Sequence, residues 1–198
     1  MSVPFALEGQ RFPGWLLILG ALTAIGPLSI DMYLPGFPVL ERDLGSPAGG
    51  AELTLASFFI GMAFGQLFWG PLSDRFGRKP PLYAGLAIYA LASLGCALSA
   101  NIHTLIFWRI LQALGGSAGM VIARAVVRDR CGARDAARAF SMLILIMGLA
   151  PILAPLFGGW IVTHLGWRAI FFLLVAFSLS SLTAIHFGLT DSHDIRHE

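Results

Sequence analysis

Two ionisable side chains, Asp31 and Arg109, stand inside long apolar runs. A charge at the centre of a membrane helix costs roughly 2.5–3.5 kcal/mol, so an intramembrane acid or base points to proton or ion chemistry. Each lies about five residues in from one end of its run, roughly 7–8 Å at 1.5 Å per residue. The two can therefore lie at the same depth. A carboxyl there can take up a proton on one side of a membrane and return it on the other, or attract a cationic substrate when ionised. The alternative is two separate interfacial charges, with Asp31 touching headgroup water and Arg109 snorkelling to the surface.

A second cluster fills Gly70-Pro71-Leu72-Ser73-Asp74-Arg75-Phe76-Gly77-Arg78-Lys79, a ten-residue link between two apolar runs. Its two glycines suit close packing and a tight turn. Its acid, set among guanidinium groups, can make and break charge-assisted hydrogen bonds. Glycine and proline recur inside the runs as well. Gly61 with Gly65 and Gly115 with Gly119 have the four-residue spacing of close helix packing. Gly148, Pro151, Pro155, Gly158 and Gly159 crowd a single run. Each proline there removes a backbone hydrogen bond, which predicts a bent, gating helix.

Two other motifs carry weaker chemistry. Gly115-Gly116-Ser117-Ala118-Gly119 fits G-x-S-x-G, and His186 offers a base, so an intramembrane serine protease is the enzyme alternative. That motif needs a strand-turn-helix, and here its surroundings read as helix. His193 and His197 are spaced for a metal on a helix, but a frayed polar end is the plainer reading. No metal and no cofactor is expected.

The elements that carry these groups follow from composition. The 198 residues are 57% hydrophobic and 12% charged, with a mean hydropathy of +0.77. Soluble domains hold about 25% charged residues, so the solvent here is lipid. Six apolar segments of about 20 residues, enough to cross a bilayer, are predicted at Gly14–Leu34, Leu53–Leu72, Pro81–Ala100, Thr104–Val126, Ala136–Leu165 and Trp167–Leu189. The first is too long for a cleavable signal and reads as a retained helix.

If the six alternate in direction, ten of the thirteen bases share one side, from Arg11 through Arg75, Arg78, Lys79 and the Arg124–Arg138 link to Arg196. Arg42 and Arg168 fall on the other side, and Arg109 lies within a helix. Bases mark the cytoplasmic side, so both termini are expected there. This divides the chain into a cytoplasmic N-terminus (1–13), a six-helix bundle (14–189) and a cytoplasmic tail (190–198). Cys96 and Cys131 fall at opposite ends and cannot pair. Neither a soluble domain nor a nucleic-acid-binding tail is read. Phe76-Gly77-Arg78 on one side and Leu165-Gly166-Trp167-Arg168 on the other are the trace of an inverted three-plus-three repeat.

Gly70 to Lys79 resembles motif A of the major facilitator superfamily, G-x-x-x-D-R-x-G-R-(K/R), and matches it at Gly70, Asp74, Arg75, Gly77, Arg78 and Lys79. Ser29 to Pro35 resembles the first helix of drug/proton antiporters. Arg109-Ile110-Leu111-Gln112 resembles motif B, with Ala113 in place of its glycine, and Gly148 to Gly159 resembles motif C. Ala123 to Asp129 and Gly166 to Phe171 are similar to the bicyclomycin-resistance (Bcr/CflA) efflux type. The resemblance implies an all-α membrane protein, the N-terminal six-helix half of a twelve-helix fold, in the inner membrane. It implies efflux of drug-like small molecules against protons, with Asp31 and Arg109 coupling proton to substrate. It assigns Asp74, Arg75 and Arg78 to a cytoplasmic charge network. Six helices leave a cavity face for a C-terminal half or a second copy to cover. A truncated, non-transporting membrane protein is the alternative.

Overall fold

The computed structural model describes residues 14–188. The predicted termini, Arg11, Arg196 and the His193/His197 pair lie outside the described residues. Within them every regular element is helical. The order is α1 (Gly14–Asp31), a 3-10 turn (Leu34–Gly36), α2 (Phe37–Asp43), α3 (Gly50–Phe76), α4 (Lys79–Ala97), α5 (Ile102–Arg130), α6 (Ala133–Leu165) and α7 (Arg168–Gly188). Six stretches are long and apolar enough to cross a membrane, α1 to α2 together forming the first.

Two sequence expectations about segment ends are corrected. The first span does not run straight to Leu34: α1 stops at Asp31. Pro35 and Pro38 supply no backbone N–H, so the chain closes a 3-10 turn at Gly36 and restarts as α2. The links at the base-rich end are also far shorter than expected. Helix α3 continues through Pro71 to Phe76, so only Gly77 and Arg78 join it to α4. Helix α5 runs on to Arg130, so only Cys131 and Gly132 join it to α6. A helix that leaves hydrocarbon keeps its own hydrogen bonds, so polarity alone does not end it.

The packing is an inverted repeat. α1 and α5 cross at the centre. α3 lies along α5 as α6 lies along α1, α4 packs on α5 as α7 packs on α1, and α4 meets α7. Exchanging α1, α3 and α4 for α5, α6 and α7 reproduces the arrangement. The hinges agree: Gly77 has φ 84° and ψ 174°, and Gly166 has φ 82° and ψ 164°. Both backbones lie in a region that L side chains rarely adopt. α3 and α6 make no substantial contact, leaving a groove floored by α1 and α5.

Lipid tails are as apolar as leucine, so burying Leu86 or Ile122 does not by itself drive helices together; close backbone approach does. A Cβ on Gly61 would strike the Ile110 carbonyl of α5, and one on Gly158 would strike the Met32 carbonyl just past the end of α1. These are equivalent contacts in the two repeats. Gly65, Gly115 and Gly119 also press on neighbouring backbone or side chains, as their spacing predicts. Gly70 and Gly148 do not: a Cβ on either meets open space, so neither serves packing within this bundle. Leu67 and Phe187, 77% and 83% exposed, are typical of the outer apolar surface.

Candidate functional site

Helix α5 starts on Asn101, whose side chain accepts the Thr104 N–H at 2.9 Å. Two turns later it places Arg109 at the crossing of the bundle, fully buried. Arg109 Nη1 donates to Gln112 Oε1 at 2.7 Å and to the Ser29 carbonyl of α1 at 3.1 Å. Gln112 Nε2 donates to Ser93 Oγ of α4 at 2.8 Å. Ser29 Oγ lies 2.6 Å from the Tyr89 hydroxyl, so α1, α4 and α5 share one polar network. The guanidinium carbon lies 4.2 Å from the Phe58 ring centre, 4.7 Å from Tyr33 and 5.9 Å from Phe171. Tyr33 is itself held by Thr54 Oγ1 at 2.8 Å.

No carboxylate neutralises this cation among the described residues, and its Nε and Nη2 find no hydrogen-bond acceptor there. An unpaired buried charge is costly. Aromatic faces offset part of that, by about 2 kcal/mol where the cation is desolvated. Asp31 is half-buried, the last residue of α1, and makes neither a hydrogen bond nor an ion pair among the described residues. Arg109 grips the carbonyl two residues before Asp31. The charges do not touch, and their link runs through the α1 backbone.

At the base-rich end, Arg78 Nε donates to Asp129 Oδ2 at 2.7 Å. Its Nη1 donates to Asp74 Oδ1 at 2.6 Å and to Ser73 Oγ at 2.8 Å. Burial works against the Arg78 charge, but the bonds to Asp129 and Asp74 outweigh it and raise its pKa. The expected network is thus corrected in membership. Arg75 stands over the Phe76 ring, Lys79 forms no ion pair among the described residues, and Asp129 completes the cluster. In α6 the helix runs unbroken through Pro151 and Pro155. Gly158 packs on α1, and Gly159 faces Pro35.

The opposite end holds a cluster that sequence reading missed. Trp167 Nε1 donates to Asp43 Oδ2 at 3.1 Å, and Arg168 Nη1 lies 3.9 Å from the same oxygen. Arg168 Nη2 donates to the Ser99 carbonyl at 3.2 Å, and its guanidinium stacks 4.2 Å over the Trp167 ring. The only available signal was that each link carries an arginine within two residues of its glycine.

Between α1, α5 and α6 lies a cavity of about 340 Å³, lined by Thr23, Met120, Arg124, Phe140, Leu143, Ile144 and Met147. The Ser117–His186 pair does not assemble. Ser117 is buried with its hydroxyl on the Leu114 carbonyl, while His186 lies near Tyr83 at 3.4 Å.

The model of the Major Facilitator Superfamily matches residues 15–197. The chain is 44% identical to "Uncharacterized MFS-type transporter YdgK" of Bacillus subtilis, over 85% of this chain and 43% of that protein. It is 36% identical to "Bicyclomycin resistance protein homolog" of Haemophilus influenzae, over 90% of this chain and 45% of that protein. It is 39% identical to "Chloramphenicol resistance protein" of Pseudomonas aeruginosa, over 79% of this chain and 38% of that protein. The chain thus spans less than half the length of these relatives. A buried cation at the crossing of six apolar helices, an inverted repeat and these matches agree: this multi-pass membrane protein belongs to the Major Facilitator Superfamily, a family of transporters rather than enzymes.

Proposed function

We propose that the chain is the N-terminal half of a proton-coupled exporter that expels drug-like small molecules across the inner membrane, with both ends of the half on the cytoplasmic side. The observation that carries this reading is the pairing at one level of a buried, uncompensated Arg109 with an unpaired Asp31. Asp31 can exchange a proton without first breaking an ion pair. It also ends α1, where the span already breaks into α2. Charge on Asp31 therefore acts at a hinge, and Arg109 holds that hinge through the Ser29 carbonyl. The groove between α3 and α6 supplies the substrate path. Met120 and Met147, which line the cavity between α1, α5 and α6, are adaptable, polarisable contacts suited to varied apolar ligands. The bias of bases to one end supports the orientation. A second six-helix unit, a C-terminal half or another copy of this chain, completes the groove.

The test is uptake of radiolabelled chloramphenicol by respiring everted membrane vesicles that contain the protein. Gradient-driven uptake is expected, and Asp31→Asn abolishes it while membrane insertion is kept. Unaltered uptake by Asp31→Asn sinks the coupling role. A non-transporting membrane protein would give no uptake with Asp31 intact.

A further inference from the structure

We propose that Asp43, Trp167, Arg168 and the Ser99 carbonyl form a clasp that holds the end of the bundle opposite the Arg78 cluster closed. The hinge glycines share one unusual backbone conformation. After each, the link between a repeat's second and third helices presents an arginine. Each arginine meets an acid at the far end of the other repeat's first span. Arg78 meets Asp129 in the last turn of α5, and Arg168 meets Asp43, the last residue of α2. The inverted repeat therefore places two equivalent clusters at opposite ends.

The clasp holds a part able to move. α2 is a seven-residue helix joined to α1 only by the turn through Gly36. That glycine leaves little room, with a Cβ there lying 3.3 Å from Val162 and 3.4 Å from the Trp167 side chain. From the clasp an unbroken run of rings leads inward: Trp167 lies 6.0 Å from Phe171, Phe171 5.5 Å from Tyr33, and Tyr33 5.0 Å from Phe37 of α2. Tyr33 and Phe171 are walls of the Arg109 box. Releasing Asp43 frees α2, withdraws Tyr33 and opens the box from that end. Cys96 lies just beneath, buried, its sulfur 3.9 Å from Gln112 Oε1. Asp43, Trp167 and Arg168 are positioning residues in this scheme, which holds whether or not a proton drives the cycle.

The two native thiols report the two ends. The full chain in nanodiscs is labelled with a maleimide, and alkylation of Cys96 and Cys131 is followed by peptide mass spectrometry. Asp43→Asn removes the charge, and Trp167→Phe removes the indole N–H together with part of the buried ring. Losing one charge-assisted hydrogen bond raises an open population by about tenfold or more. Cys96 alkylation is therefore expected to rise about tenfold in Asp43→Asn and less in Trp167→Phe, with Cys131 unchanged. A Cys96 rise in either variant with constant Cys131 supports the clasp. Unchanged Cys96 in both variants, or parallel rises at both thiols, overturns it. Absence of chloramphenicol uptake by the unaltered chain, alongside the Cys96 rise in the variants, would speak against the transport reading alone.

Discussion

The two ends of the bundle use one geometry and different chemistry. At the base-rich end a guanidinium only 12% exposed holds two carboxylates at 2.6 and 2.7 Å. At the opposite end the arginine and its acid are 42% and 44% exposed and 3.9 Å apart. The close bond there comes from the indole of a buried tryptophan, backed by a backbone carbonyl and a stacked ring. One end is therefore held mainly by charge, and the other mainly by packing and a single acceptor. Arg78 makes two short bonds in which both partners are charged, whereas the clasp's bonds from Trp167 and Arg168 each have one charged partner, and its exposed ion pair contributes about 0–1 kcal/mol. The same backbone scaffold thus yields a strong latch and a light one, so the clasp end should open more readily.

The largest break in this comparison comes from Arg78→Gln. It strands Asp129, which is partly buried, and is expected to destabilise the protein by about 2–3 kcal/mol. Thermal unfolding in detergent measures the loss, and Cys131 alkylation should rise while Cys96 stays protected. If Cys96 responds instead, the two ends are not independent. Next in size are Gly77→Ala and Gly166→Ala, where a side chain is forced into a positive-φ, extended backbone that essentially only glycine adopts, at a cost of roughly 1–2 kcal/mol. Equal drops in thermal midpoint are expected, since φ differs by only a hair between them, 84° against 82°. Clearly unequal drops would mean that the links are not equivalent. The smallest effect is expected from Arg168→Gln, at most about 1 kcal/mol. Added salt should erase that difference, because exposed pairs are screened. A loss as large as that of Arg78→Gln would erase the distinction between latch and light clasp.

Much of the architecture was legible in the residues. Apolar length predicted six spans; five appear within four residues of their expected limits, and the first runs on to Asp43 through the break after α1. The Gly-Arg spacing in two links was a faint sign of the inverted repeat, and the matched backbones of Gly77 and Gly166 bear it out. The count from the helix ends let Asp31 and Arg109 lie at one level, and Arg109 bonds to the Ser29 carbonyl two residues before Asp31. Other assignments depended on which side of a helix faces a neighbour. Gly70 looked like a packing residue and, like Gly148, faces open space, while Gly61 and Gly158 touch backbone. Arg75 belongs to the same motif as Arg78 yet turns away from its acids.

The sequence alone determined the solvent, the number of crossings and the clustering of bases, because hydrocarbon penalises every exposed polar group and helix length is set by bilayer thickness. Only the tertiary structure decided partners. That Arg109 lies among Phe58, Tyr33 and Phe171 rather than against Asp31 depends on helix rotation and on where α1 breaks. That Asp129 answers Arg78, and Asp43 answers Trp167 and Arg168, depends on which helix ends the inverted repeat brings together. A charge in a chain announces its cost, but what offsets that cost comes from residues far away in sequence, and folding alone places them beside it.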